Sequence, residues 1–318
     1  MSHENPTQYP SQDETPFQER FDEQFARSEV VKLPGEQEAT FYDIKPEHPK
    51  SEVPVFMAGG YGSTDPIGIR GNAMEMVRNN REVIMVEAPH GVSHDIRGEE
   101  VSQMSEYSLR QIGAIMPALE QKHIEKVDVV ATSESCVYAV MAAYLYPEKF
   151  RNMILVNPGG MIGEDKPTQL TWRFITEMVA GAVDLMKRKK MLPPEAQQQM
   201  KEGTADFMKY IFSDVRTAGK EIKGISSSQI NGLFQKLKEH GIGISIIHSV
   251  DDKVFPMKRV QAQVKAKEED PLWIDGFYSV KGGHGEYLAN TQIYTRAAEG
   301  ALSALEMKQA VAADKKGV

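Results

Sequence analysis

Short apolar runs alternate with amphipathic segments along most of this chain. The runs beginning at Val53, Glu82, Val127 and Met153 are nearly unbroken stretches of apolar residues of strand length, and each gives way to small or turn-forming residues. Unbroken rather than alternating apolarity predicts strands buried on both faces. Between the runs, Ile67–Asn80, Glu106–Ile124 and the segment from Ser135 to Tyr146 carry apolar residues at helical spacing. In the second of these, Leu109, Ile112, Ile115, Met116 and Leu119 fall on one side; the third stops at Pro147. From Val53 to Asn157 strand and helix therefore alternate three times. That predicts an α/β protein built of βαβ units, with a mostly parallel central sheet and helices on both faces.

The flanking stretches break this rhythm. Residues 1–24 are rich in Gln, Glu, Pro, Ser and Asp with isolated aromatic residues, which predicts a mobile or loosely docked segment. Ser28–Leu33 and Ala39–Ile44 read as an opening hairpin turning at Pro34-Gly35. From about Met161 to Gly224 the apolar spacing is helical throughout, over Leu170–Met186 and, after Pro193-Pro194, over Glu195–Phe212. Alternation resumes with a helix over Ser226–His240, a strand over Gly243–Ser249, a short helix from Met257, a strand over Asp275–Lys281 and a closing helix over Thr291–Lys308. The expected organisation is one α/β core, residues 25–160 and 225–309, interrupted by a helical cap insertion, residues 161–224, and followed by a frayed tail, residues 310–318. An insertion that long is a cap rather than a loop.

Composition narrows the function classes. The chain has 318 residues, 41% hydrophobic and 26% charged, with a formal net charge of -8. That suits a soluble globular protein and argues against nucleic acid as a partner. The four basic residues Lys187–Lys190 read as a solvated helix end. The single cysteine, Cys136, excludes an intrachain disulfide and a multi-cysteine metal site. The first residues show no signal-peptide pattern and no run reaches the length of a membrane span, so the cytoplasm is the expected compartment. His90 and His94 lie in a loop opened by Pro89 and Gly91 and need not share a face; no metal or organic cofactor is implied.

The candidate chemistry sits at strand ends, where ligands bind in open parallel sheets. Val127–Thr132 runs into Ser133 and then directly into an apolar helix, with small residues Ala131 and Ser135 on either side of the serine. A strand, a tight turn around one serine and an immediate helix is the pattern of a nucleophile elbow. Asp252 follows a later strand and His284 the last one, giving the order serine, acid, histidine. A serine hydroxyl needs a base beside it; His284 supplies one, and Asp252 would orient the imidazole and stabilise its cation. Backbone N–H groups of Glu134 and Gly60 would stabilise an oxyanion, the latter from the loop Gly59-Gly60 after the first strand. Ser135 is the competing nucleophile and Asp251 the competing acid, while His248 lies within a strand and Cys136 within the elbow helix.

These same residues carry a resemblance. Ala-Thr-Ser133-Glu-Ser-Cys, with Tyr-Pro-Glu-Lys-Phe-Arg-Asn-Met-Ile-Leu-Val-Asn-Pro-Gly-Gly160 after it, resembles the elbow and following strand of the α/β-hydrolase family. His248-Ser-Val-Asp-Asp252-Lys-Val-Phe-Pro256 resembles its acid loop, Gly-Gly-His284-Gly its histidine loop, and Met57-Ala-Gly-Gly60 its oxyanion loop. Ala131 and Ser135 stand where the family has glycines, and Ala58 where it has a histidine. The resemblance spans roughly Val53 to Leu305, with the helical insertion where the family carries its lid. It implies a serine hydrolase of carboxylesterase type, with a small-molecule substrate held between lid and core. Amide, thioester or carbon–carbon hydrolysis, acyl transfer, cofactor-free haloperoxidase chemistry and a non-catalytic ligand-binding role are alternatives within the same fold.

Overall fold

The apolar runs become the strands of one sheet in the computed structural model, which describes residues 14–60, 66–88, 92–97, 101, 104–163, 165–188, 215–264 and 273–316. In chain order the elements are α1 (Glu14–Ala26), β1 (Glu29–Lys32), β2 (Glu38–Ile44), β3 (Val55–Ala58), α2 (Arg70–Arg78), β4 (Val83–Glu87), α3 (Glu106–Gln121), β5 (Val127–Thr132), α4 (Ser135–Leu145) and β6 (Phe150–Val156). There follow α5 (Pro167–Arg188), α6 (Val215–Ser227), α7 (Phe234–Glu239), β7 (Gly243–Ser249), α8 (Met257–Val264), β8 (Gly276–Val280), α9 (Glu286–Ala289) and α10 (Thr291–Lys316). The sheet has eight strands in the order β1-β2-β4-β3-β5-β6-β7-β8. β1–β2 and β2–β4 are antiparallel, and every pair from β4 through β3 to β8 is parallel. The α/β class and the mostly parallel sheet match the expectation from the apolar pattern.

The core lies in two layers, one on each face. Along β5, Val129 and Ala131 join one cluster while Val130 joins the other; along β6, Met153 and Leu155 face one way and Ile154 and Val156 the other. This alternate assignment is why the runs are apolar at every position. One face is covered by α3, α4 and α7 through Ile112, Leu119, Val140 and Leu237. The other is covered by α1, α2 and α10 through Phe21, Met76, Leu302 and Leu305. Between β6 and β7 the described residues contain helices and no strand. Among the described residues, no helix is long and apolar enough to cross a membrane.

Four local expectations change. Residues 14–26, expected to be mobile or loosely docked, form α1, and Phe21 is fully buried. Phe17, Phe21 and Phe25 recur every four residues, so they share one helix face. Arg70 lies over the rings of Phe21 and Phe25, and Arg78 over that of Phe17. The helix expected over Ser226–His240 is broken. The hydroxyls of Ser226, Ser227 and Ser228 donate to the carbonyls of Lys223 and Gly224, ending α6 before α7 begins. The closing helix continues through the expected tail to Lys316, over the good helix formers Ala310, Ala312 and Ala313. The first helix of the βαβ series starts at Arg70, after a 3-10 turn over Pro66–Ile69. The helix expected over Glu195–Phe212, like His90 and the last two residues of the basic run, lies outside the described residues.

At the amino-terminal edge of the parallel strands a buried ion network ties α10 to the sheet. Arg81, 1% exposed, bonds Glu299 (Nε to Oε2, 2.9 Å) and Glu306 (Nη1 to Oε1 and Nη2 to Oε2, both 2.7 Å). Arg151 bridges Glu306 (2.7 Å) and the buried Asp128 (2.9 Å), and Lys50 pairs with Glu299. Burial works to lower the Arg81 pKa, but the hydrogen bonds and charges of Glu306 and Glu299 outweigh it, so the guanidinium stays charged. Removing one partner from such a set leaves buried charges uncompensated. Arg81→Met is expected to cost about 3 kcal/mol or more of unfolding free energy, read from the urea midpoint; a loss under about 0.5 kcal/mol would show that the network contributes nothing.

Candidate active site

Ser133 stands between β5 and α4 with φ of 60°, in the left-handed region that a non-glycine residue rarely occupies. The strain is held by bonds on both sides: Ser133 N–H donates to Val156 O (2.8 Å), and Ser133 O accepts from Gly159 N–H (2.9 Å). Two glycines make room for the turn. A β-carbon on Gly60 would come 3.1 Å from Ser133 Cβ, and one on Gly159 would come 3.2 Å from Ser133 O. The small residues the elbow needs are thus supplied partly by neighbouring strand ends.

Ser135 is part of the same device. Its hydroxyl, fully buried, accepts the Thr132 N–H (2.7 Å) and lies 2.9 Å from two acceptors, Ala58 O at the end of β3 and Thr132 O. It therefore braces the elbow against β3, its hydroxyl taken up by those bonds. Cys136 packs behind it, its thiol donating to Ala131 O (3.2 Å), and burial pushes that thiol pKa up, away from reactivity.

Three of the sequence-predicted residues meet at the carboxyl ends of β5, β7 and β8. His284 Nε2 lies 2.9 Å from Ser133 Oγ, and His284 Nδ1 lies 2.8 Å from Asp252 Oδ2. Asp252 is buried, and its other oxygen accepts the Phe255 N–H (2.8 Å), which fixes the carboxylate plane. Asp251, one residue earlier, points its side chain to solvent. His248 is fully buried and does not reach Ser133; it sits 2.9 Å from Phe255 O and 4.0 Å from Asp252 Oδ2. Burial holds its pKa down against the pull of Asp252, so a neutral Nε2–H donates to Phe255 O and steadies the loop carrying Asp252.

Burial also works to lower the His284 pKa. The Asp252 charge and hydrogen bond, with Glu177 adding to them, outweigh it and raise the group above the ordinary 6.5. The rings of Phe255 and Phe174 meet the imidazole edge-on at 5.2 and 5.9 Å. Gly60 lies against Ser133, and Glu134, the next residue in the chain, caps α4 at its amino terminus. A cavity of about 30 Å³ opens beside Gly59 and Gly60, between Tyr107, Gln111, Ile115 and Tyr138.

Several contributors escaped the sequence reading. Asn157, just past β6 with φ of 46°, donates to His284 O (3.2 Å) and accepts the Ser249 N–H (2.7 Å), linking three strand ends. The pattern Asn-Pro-Gly-Gly after a strand was the available signal. Phe174, Arg173 and Glu177 come from α5 and carried no motif at all.

The strained φ of Ser133 gives a measurable consequence. Ser133→Gly should unfold at higher urea than Ser133→Ala, by roughly 1 kcal/mol, because glycine accepts the left-handed turn and alanine does not. Equal midpoints would mean that the elbow stores no strain.

No protein-family profile matches the chain, nor does any curated protein by sequence. Solved structures do match it. The enol-lactonase from Burkholderia xenovorans LB400 superposes with a TM-score of 0.59 at 11% identity, over 86% of this chain and 100% of that one. The bromoperoxidase from Bacillus anthracis gives a TM-score of 0.60 at 12% identity, over 87% and 99%. A thermophilic esterase from Thermogutta terrifontis gives 0.55 at 15% identity, over 88% and 99%. Strand order, helix placement and these neighbours agree: the chain has the α/β-hydrolase fold.

Proposed function

We propose that the chain is a serine hydrolase that acts through an acyl-enzyme on a small ester-type substrate. The observation that carries this reading is the continuous chain of contacts from Ser133 Oγ through His284 to Asp252, at 2.9 and 2.8 Å. In this reading Ser133 Oγ attacks the substrate carbonyl while His284 Nε2 takes its proton. Asp252 holds the Nδ1–H tautomer and stabilises the imidazolium. The backbone N–H groups of Glu134 and Gly60 take the oxyanion. His284 then returns the proton to the leaving alcohol, and later draws one from the water that releases the acid and restores Ser133.

The helices between β6 and β7 serve as the lid in this reading, with substrate held between them and the core. The structural neighbours include an esterase and an enol-lactonase, which supports an ester-type substrate.

A fluorophosphonate probe is expected to label the wild type and to leave Ser133→Ala unlabelled; labelling that persists in the variant would sink the nucleophile assignment. On p-nitrophenyl acetate, His284→Ala should lose at least about a hundredfold in kcat/KM. Only the neutral imidazole acts as base, and its pKa is raised. The wild-type kcat/KM should therefore rise with pH through a midpoint above the 6.5 of an ordinary histidine. A midpoint below that value would contradict the assignment of His284 as the base.

A further inference from the structure

We propose that Glu177, on α5, is a positioning residue for the His284 base, which rests on the triad reading given above. His284 belongs to the loop Gly282-Gly283-His284-Gly285, where three glycines flank one functional residue. Such a loop has much conformational freedom to lose and little of its own to hold it. Both backbone polar groups of His284 are held from outside the loop. Asn157 Nδ2 donates to its carbonyl (3.2 Å), and its N–H donates to Glu177 Oε1 (2.7 Å).

The approach of Glu177 is built into the loop. A β-carbon at Gly283 would lie 2.3 Å from Glu177 Oε1, so only glycine there lets the carboxylate reach the next backbone N–H. The helix bearing Glu177 is itself fastened to the acid loop. Arg173 Nε donates to Val254 O (2.9 Å), and Arg173 also pairs with Asp165, whose side chain is buried and which Arg259 approaches at 3.4 Å. Phe174, on the same face, sets its ring edge-on to the His284 imidazole at 5.9 Å. Residues 173, 174 and 177 of one helix therefore grip both the loop that carries the acid and the loop that carries the base.

Glu177 also brings a negative charge to His284. Among the described residues, the other charged or titratable groups on the elements around the imidazole are Glu134 at the elbow, His248 on β7, Asp251, Asp252 and Lys253 in the acid loop, Lys281 at the end of β8, and Glu286 and Tyr287 on α9, the Glu286 carboxylate being bonded by Asn290. Arg173 is committed to Asp165, so the pull of Glu177 on the imidazolium adds to that of Asp252. One carboxylate thus does two jobs: it fixes the base in place and it favours the protonated form of that base.

The two jobs separate by substitution. Glu177→Gln keeps an oxygen to accept the His284 N–H and loses the charge; Glu177→Ala loses both. The reaction rate of a fluorophosphonate probe, followed from pH 5 to 9 in wild type and both variants, reads them without a known substrate. The alkaline plateau of Glu177→Ala should fall about tenfold, while that of Glu177→Gln stays within about twofold. The acidic midpoint of both should drop by roughly half a pH unit. Plateaus equal to wild type in both variants, or a midpoint that does not move in Glu177→Gln, would overturn the proposal. The midpoint of the isosteric Gln variant decides the matter even if Glu177→Ala folds poorly. A wild type that takes no label refutes the triad reading itself; a labelled wild type with unmoved variants refutes the role of Glu177 alone.

Discussion

The β5–α4 junction turns the chain from strand to helix within two residues, and it does so by holding Ser133 at a φ of 60°. A left-handed serine costs of order 1 kcal/mol or more and persists only where its surroundings over-determine it. Here they do. The Ser133 peptide is bonded to β6 on one side and to Gly159 on the other, and the buried Ser135 hydroxyl bridges Thr132 and β3. In the glycine-flanked elbow of the fold, absent side chains make room. This chain uses a hydroxyl that fills the space and bonds within it, and leaves the close approaches to Gly60 and Gly159.

Once the elbow is fixed, the remaining geometry follows from where strands end. β5, β6 and β7 are neighbours, so Ser133, Asn157 and Asp252 emerge side by side, and β8 delivers His284 at the next position. Asn157 is the connecting element. By bonding the backbone of Ser249 and of His284 it holds the two loops of β7 and β8 in a common frame with the strand beside the elbow. His284 is the least anchored of the three because its loop is mostly glycine, and so its position depends on side chains contributed from elsewhere in the chain.

How much of this was legible in the sequence depended on the range of the interaction involved. The parallel strands were readable because burial on both faces leaves an apolar run, as in Val83–Val86. Ser133 was readable because it directly follows such a run, and Asp252 and His284 because each lies in the loop just past a strand, after Ser249 and Val280. α1 was not read as a helix because only the spacing of Phe17, Phe21 and Phe25 marks it, within a segment polar enough to pass for disorder. The break after Ser227 depends on hydroxyls returning to carbonyls three and four residues back, which apolar periodicity does not register. Glu177 was invisible for a different reason. It acts on a backbone N–H more than a hundred residues away, and nothing in its neighbours distinguishes it from any polar position on a helix.

Two of the charged assemblies among the described residues lie at opposite ends of the same strands. The ions around Arg81, Arg151, Asp128, Glu299 and Glu306 lie where the parallel strands begin, and are mutually paired. Asp252, His284 and Glu177 lie where strands end, with two carboxylates and one imidazole, an arrangement short of positive charge. That deficit is what raises the His284 pKa against the effect of its burial. A site of this kind favours the imidazolium that proton transfer from Ser133 would create, and it holds that cation by anions fixed before the reaction begins.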